Sequence, residues 1–400
     1  MHVHPTLSLS LAFKEFIHSS KAGGILLILS TIVSLVLANS PAGGSYLAFW
    51  QHEFGGLSLE LWVNDALMAV FFLLIGLELE RELYDGELSD LRNALLPTLA
   101  ACGGIAVPAL IHFVLNAGTP TQAGLGIPMA TDIAFALGVL ALLGDKVPVS
   151  LKIFLTALAV MDDLGAIVVI ALFYTTQLSL PYLAAAAGTF AALLLLNRVM
   201  RVMSLAPYLL GGALMWFFML KSGVHATIAG VLLAFAIPYH AKRGKIGKAA
   251  KPGARPSPSR RLEHVLHKPV AFLILPIFAL ANTGIVVAAD WSEQLLSPNS
   301  LGIILGLAAG KPAGIVLATV VAVVLSICRL PSDLQWRHVI GAGLLGGIGF
   351  TMSIFIANLA FAGQHEIINA SKMSILIASS LSGILGFAWL GMQGKAREVR

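Results

Sequence analysis

Apolar residues fall along this chain in long blocks separated by short polar or basic connections. Most blocks approach the roughly 20 residues that a helix needs to cross a bilayer, and none keeps the period-two alternation of a strand. A sheet edge cannot be satisfied in lipid, so the blocks read as α-helices. Spans are predicted at about 12–37, 59–84, 95–116, 121–143, 150–175, 182–199, 205–220, 223–238, 265–288, 300–327, 337–361 and 367–392, with ends free by several residues. The expected fold class is an all-α membrane protein of about twelve transmembrane helices.

Basic residues alternate across the connections. Lys14 and Lys21 come first and 39–58 has none; Arg81 and Arg92 follow and 117–120 has none; Lys146 and Lys152 follow and 176–181 has none. The alternation continues through Arg198 and Arg201, a lone Lys221, a basic stretch at 240–262, nothing at 289–299, Arg329 and Arg337, nothing at 362–366, and a basic tail. Basic loops stay cytoplasmic, so both termini are expected inside. The first block, Gly23 to Leu37, ends in "ANSPA" and has the look of a signal peptide. A retained first helix is preferred because the alternation closes with it.

Two blocks are interrupted where a helix prefers continuity: "GLGIPMATDIAFALG" (Gly124 to Gly138) and "GLLGGIGFTMSIFIANLAF" (Gly343 to Phe361). Each is the middle span of a group of three. Interrupted spans in corresponding positions of two halves predict inverted-topology repeats, here 95–175 and 300–392, with two broken, crossing helices and a binding site at mid-membrane. The competing explanation is ordinary packing of small residues, which fits Gly306, Gly310 and Gly314.

Composition agrees with this picture. Hydrophobic residues make up 58% of the 400 positions and charged residues 11%, against about 25% charged in soluble domains. There is little room for a soluble catalytic domain. The segment "HAKRGKIGKAAKPGARPSPSRR" carries eight Lys or Arg and no acid, while the whole chain has a net charge of +5. It reads first as a cytoplasmic loop that enforces topology, and secondarily as a contact for anionic lipid. Nucleic acid is not expected, since no aromatic residue interleaves the charges. Cys102 and Cys328 suggest neither a disulfide framework nor a metal site.

The candidate chemistry sits in "LAVMDDLGAIVVIALFY", where Asp162 and Asp163 stand side by side in an apolar run. Inserting both costs about 5–7 kcal/mol, while each Leu, Ile, Val or Phe returns roughly 0.3–0.6 kcal/mol. The helix can insert, but its carboxylates must avoid lipid. Helical neighbours point about 100° apart, so one aspartate can line a cavity while the other turns to a neighbouring helix. Two close, poorly solvated carboxylates also repel, and one of them can then hold a proton or a hard cation in competition. Asp132, beside Thr131, is a third intramembrane acid. Oxygen from Asp163, Asp132, Thr131, freed carbonyls and water suits a hard cation. Lys311 in "LAAGKPAGIVLA" is the matching base, and Asp162 its natural partner. A static buried pair that only fixes helix register is the alternative. A phosphate-binding loop at "GLAAGKP" fails on spacing and on Pro312.

A second constellation lies near the cytoplasmic ends: Glu78, Glu80, Arg81 and Glu82 in "GLELERELYDGE", and Glu263, His264 and His267 in "RRLEHVLHKP". Histidines beside carboxylates at a membrane mouth can act as a pH switch. Ordinary interfacial charge is the competing reading, and the i, i+3 histidine spacing argues against zinc hydrolysis. His225 reads as a hydrogen-bonded packing residue.

Taken together, "MATDIAFALG", "VMDDLGAI", "GKPAGI" and "GFTMSIFI", with "NDALMAVFFLLIGLELEREL" and "EHVLHKPVAFLILPIFALAN", closely resemble the NhaA-type bacterial sodium/proton antiporters over nearly the whole chain. That family itself exemplifies the inverted-repeat pattern. The resemblance implies electrogenic exchange of cytoplasmic Na+ or Li+ for H+, regulated by pH, in the inner membrane, with no cofactor. It implies alternating access, with Asp163 binding the cation, Asp132 at the helix crossing with Thr131, and an Asp162–Lys311 pair that opens during exchange. It assigns Glu78, Arg81, Glu82, Glu263, His264 and His267 to pH sensing. It also implies a homodimer joined through a periplasmic β-hairpin within 39–58, for which "SYLAFWQHEFGGLSLELW" is the corresponding stretch. Glu80 stands where the best-known member has a basic residue, and the basic loop before Glu263 is longer, so the pH profile transfers less directly than the exchange chemistry. Two other classes stay open on the residues alone: a sodium-coupled symporter of an organic anion, and an intramembrane aspartyl protease using Asp132 and Asp163.

Overall fold

The computed structural model describes residues 11–175, 178–239, 257–287 and 291–393. Most of the basic segment 240–262 therefore lies outside the described residues. Helices follow the apolar blocks. Among the described residues, eight are long and apolar enough to cross a membrane: Leu59–Asp85, Asn93–Asn116, Pro120–Leu143, Val149–Phe173, Leu180–Arg198, Pro258–Asn282, Pro298–Val324 and His365–Gly391. The pairs Ala22–Ala38 with Gly43–Gln51 and Trp336–Gly346 with Phe350–Ala360, each bent at a break, raise the number to ten. The other two predicted spans are shorter helices, Ala206–Ser222 and Ile228–Ala236. Nine residues rise only about 14 Å as a helix, so among the described residues eight to ten helices have the length of a full span where about twelve are expected from sequence.

The chain divides into two compact units. Within its described residues, the first takes in Met1–Asn39, Arg92–Ala166 and Thr283–Arg400, and the second Ser40–Leu91 and Ile167–Asn282. In the first, each interrupted span lies in sequence between two longer helices. Its packing relies on missing side chains: a Cβ on Gly103 would lie 2.3 Å from the Gly314 carbonyl oxygen, and one on Gly314 would lie 2.2 Å from that of Gly103. A Cβ on Gly306 would lie 2.7 Å from the Pro128 ring, and one on Gly310 would lie 2.6 Å from Ile111 Cδ1 and 3.2 Å from Pro108 Cα. These glycines pack helices, as their spacing suggests. Gly314→Val is expected to cost about 1–3 kcal/mol by overpacking. A lower melting temperature in detergent checks this; an unchanged one would disprove the close approach.

In the second unit, Gly76 and Gly230 let helices Leu59–Asp85 and Ile228–Ala236 touch, with Gly230 against the Ala69 carbonyl. Leu73, Leu77, Tyr208, Met215, Met219 and Ala234 fill the core beside them. The unit also holds a hairpin of Glu53–Phe54 and Leu57–Ser58, paired antiparallel with Phe54 opposite Leu57. Gly55 and Gly56 make its two-residue turn at φ +63° and +82°, a conformation that L side chains resist and a tight hairpin requires.

Among the described residues, three helices contain single wide turns, at Trp62–Leu67, Val270–Ile274 and Gly306–Gly310. The last explains how Pro312 is accommodated. Proline supplies no N–H, and the Lys311 N–H reaches back five residues to the Gly306 carbonyl, so the bonding register shifts by one residue just ahead of the proline.

Candidate functional site

The first interrupted span consists of a tight arm, Pro120–Met129, an extended break at Ala130 to Asp132, and helix Ile133–Leu143. Pro128 and the arm's glycines disfavour a continuous α-helix. Asp132 then starts the next helix as its N-cap, Oδ1 accepting from the Phe135 N–H at 3.0 Å. The second span breaks over Gly347 to Gly349, between helices Trp336–Gly346 and Phe350–Ala360.

Each break satisfies the other's freed backbone groups. The Asp132 N–H donates to the Ile348 carbonyl at 2.6 Å, and the Thr131 hydroxyl lies 2.9 Å from the Gly346 carbonyl. Asp132 Oδ2 accepts from the Thr351 N–H at 3.2 Å and its hydroxyl at 2.6 Å. One buried carboxylate thus caps two helix N-termini, each worth roughly half a positive charge. Thr351→Val removes a hydrogen bond to this buried group and is expected to cost about 1.5–3 kcal/mol, read as a lower melting temperature in detergent.

Helix Val149–Phe173 brings Asp162 and Asp163 to this crossing, both fully buried. Asp162 Oδ2 lies 2.8 Å from Lys311 Nζ and accepts from Thr131 Oγ1 at 2.6 Å. Lys311, also fully buried, donates to the Met129 carbonyl as well. Asp162 Oδ1 has no hydrogen-bond donor among the described residues, an arrangement that suits a cation or water ligand. Asp163 is the next residue on the same helix, beside the Asp162 that holds Lys311. The structure therefore brings Thr131, Asp132, Asp162, Asp163 and Lys311 together, and turns the Thr131 hydroxyl to Asp162 rather than to Asp132.

The second constellation assembles within the second unit. Arg81 pairs with Glu82 at 3.0 Å and Glu263 at 2.8 Å, and His267 Nε2 lies 3.1 Å from Glu78 Oε1. All three glutamates are buried, whereas His264 is exposed. Buried Glu80 accepts from Ser259 at 2.9 Å. Beyond them Asp85 binds both Arg260 and the Tyr239 hydroxyl. Burial, together with that carboxylate, pushes the Tyr239 hydroxyl up to about 12, which keeps it the hydrogen donor. His225 Nε2 lies 2.8 Å from the Tyr174 carbonyl, in keeping with a packing role.

Thr351, Met129, Ser259, Asp85 and Tyr239 join these clusters without being among the residues expected from sequence. Thr351 carried a signal, since "GFTM" sets a threonine beside the second break as "MATD" does beside the first. Backbone acceptors such as the Met129 carbonyl carry none.

Comparison with known proteins follows the same line. Residues 14–390 match the family model described as Na+/H+ antiporter 1. The chain is 69% identical over 382 residues to the Na(+)/H(+) antiporter NhaA of Dechloromonas aromatica, covering 96% of each chain. It is 58% identical over 380 residues to the protein of the same name from Cytophaga hutchinsonii, covering 95% of each. It is 47% identical over 421 residues to that of Helicobacter pylori strain HPAG1, covering 96% of each.

Proposed function

Because the chain belongs to the Na+/H+ antiporter 1 family, and so is a secondary transporter rather than an enzyme, we propose that it exports Na+ or Li+ in electrogenic exchange for H+ at Asp163. The supporting observation is charge bookkeeping at the helix crossing. Asp132, Asp162, Asp163 and Lys311 are all buried and together would carry −2 if fully ionised. The two capped helix N-termini offset about one of those charges, which leaves room at Asp163 for one monovalent cation or one proton in its place.

Asp163 is the carboxylate that trades one for the other, with Asp132 and Thr131 holding the crossing and supplying oxygen nearby. The Asp162–Lys311 pair opens during exchange, and the Lys311 ammonium then supplies a second proton beside the one traded at Asp163; two protons against one cation make the exchange electrogenic. Binding either H+ or Na+, but not both, allows the site to face the two sides alternately. Residues 95–175 and 300–392 are the two inverted repeats that carry it. The protein lies in the bacterial inner membrane, among its lipids, with both termini and the basic loop 240–262 cytoplasmic. Glu78, Arg81, Glu82, Glu263, His264 and His267 tune activity to pH. The hairpin in 39–58 faces the periplasm and joins a homodimer; exposed Phe54 at its tip favours such a contact.

The alternatives are weaker at the crossing. A symporter would need a cation for its organic anion, and Lys311 is engaged by Asp162 and Met129. An aspartyl protease needs two carboxylates sharing a proton, yet both oxygens of Asp132 are occupied by Phe135 and Thr351. The test is a reconstitution without any organic solute. Purified protein in liposomes should move protons against an imposed sodium gradient, faster or slower as a membrane potential is applied. No proton movement would reject the antiport reading, and indifference to potential would reject electrogenicity.

A further inference from the structure

About 12 Å along its helix from Gly104, which flanks Asp162, lies a buried polar group that the exchange reading leaves unused. His112 is fully buried, and its Nε2 is 3.1 Å from Asn299 Oδ1. Asn299 Nδ2 donates to Ser371 Oγ at 2.8 Å, and Ser371 donates to the Ile367 carbonyl at 2.7 Å. Since each later member of this series already donates forward, the imidazole donates through Nε2. Its orientation is thereby fixed by helix His365–Gly391.

The ring lies between two glycines on different elements. A Cβ on Gly124, in the arm Pro120–Met129, would stand 3.0 Å from His112 Cε1 and 2.8 Å from Phe361 Cζ. A Cβ on Gly302, in the helix that carries Lys311, would stand 2.8 Å from His112 Cδ2. One turn further, Asn116 donates to the Pro298 carbonyl at 3.0 Å and accepts from Thr121 at 2.7 Å. The arm and the Lys311 helix are therefore spaced by an imidazole and an amide at one end. At the other end the Lys311 ammonium bridges them through the Met129 carbonyl.

We propose that His112 is a positioning residue for the cation site: its ring sets the spacing between arm and Lys311 helix, and so how Lys311 divides its ammonium between Met129 and Asp162. A ring lost at one end lets the arm settle towards Gly302 and carries the Met129 carbonyl with it. The lysine then shifts against Asp162, and the oxygens beside Asp163 lose their arrangement. This inference rests on the exchange reading above.

The test uses purified full-length protein in liposomes and measures the sodium dependence of exchange. His112→Ala is expected to raise the sodium KM about tenfold, as loss of groups that orient cation ligands does, with kcat largely kept. His112→Phe retains the ring without the donor and should restore a KM near wild type. His112→Gln retains a donor without the ring and should behave like His112→Ala. An unchanged KM in His112→Ala, or kcat falling in step with melting temperature at constant KM, overturns the proposal. Should His112→Ala fail to fold, equal KM values for His112→Phe and His112→Gln overturn it instead. Absence of exchange in the wild type is a different result, which rejects the exchange reading and this inference with it.

Discussion

Asp163→Asn is expected to abolish sodium-driven dequenching of a pH dye in everted vesicles, at wild-type protein level. The amide keeps the shape and removes the exchangeable charge. Asp163 is fully buried beside an aspartate already committed to Lys311 and Thr131, so no neighbour can take its place without breaking that pairing. With Asn at 163, the crossing has one negative charge fewer, and the excess that attracted a cation or proton is gone. Asp163→Glu restores the charge with one extra methylene and should recover part of the response at a raised sodium requirement. A wild-type response from Asp163→Asn would sink the assignment of the exchange site.

Lys311→Ala carries the second large effect, and it is mainly one of stability. The ammonium and its Asp162 partner are both fully buried at 2.8 Å. Removing one member strands the other charge, at a cost of about 3–5 kcal/mol for buried pairs of this kind. The expected result is a much lower melting temperature in detergent, with exchange reduced but not eliminated and its pH dependence shifted. Asp162→Asn alone should destabilise comparably. Combining Lys311→Met with Asp162→Asn should recover much of the melting temperature, because replacing both ions avoids the stranded charge. A double variant no more stable than either single one would show that the pair is not the source of the loss.

The sequence was most informative where lipid makes residues expensive. Asp132, Asp162, Asp163 and Lys311 stand out because ionisable groups inside apolar spans need a reason to be there, and the Lys311–Asp162 contact expected on that ground is made. Both broken spans were legible from Gly and Pro. Less legible was what long-range packing decides. Nothing in "MATD" reveals that the Thr131 hydroxyl turns to Asp162, or that Asp132 reaches Thr351 from 219 positions away. Glu80 and Ser259 meet across 179 positions for the same reason. The apolar run around 223–238 reads as one short span, yet Gly223 at φ +83° ends one helix and the next begins only at Ile228. Hydropathy sums over such a turn and cannot see it.

The wide turn at Gly306–Gly310 makes this stretch intolerant of changes in length. Lys311 owes its direction to one residue more than a regular turn would hold. Deleting any one of those uncharged residues would close the turn to ordinary α-helical register and swing everything on one side of it by about 100° relative to the other. Lysine and aspartate would survive in the sequence while facing different directions. Spacing between Gly306 and Lys311 is thus as much a part of the site as the ionisable groups themselves.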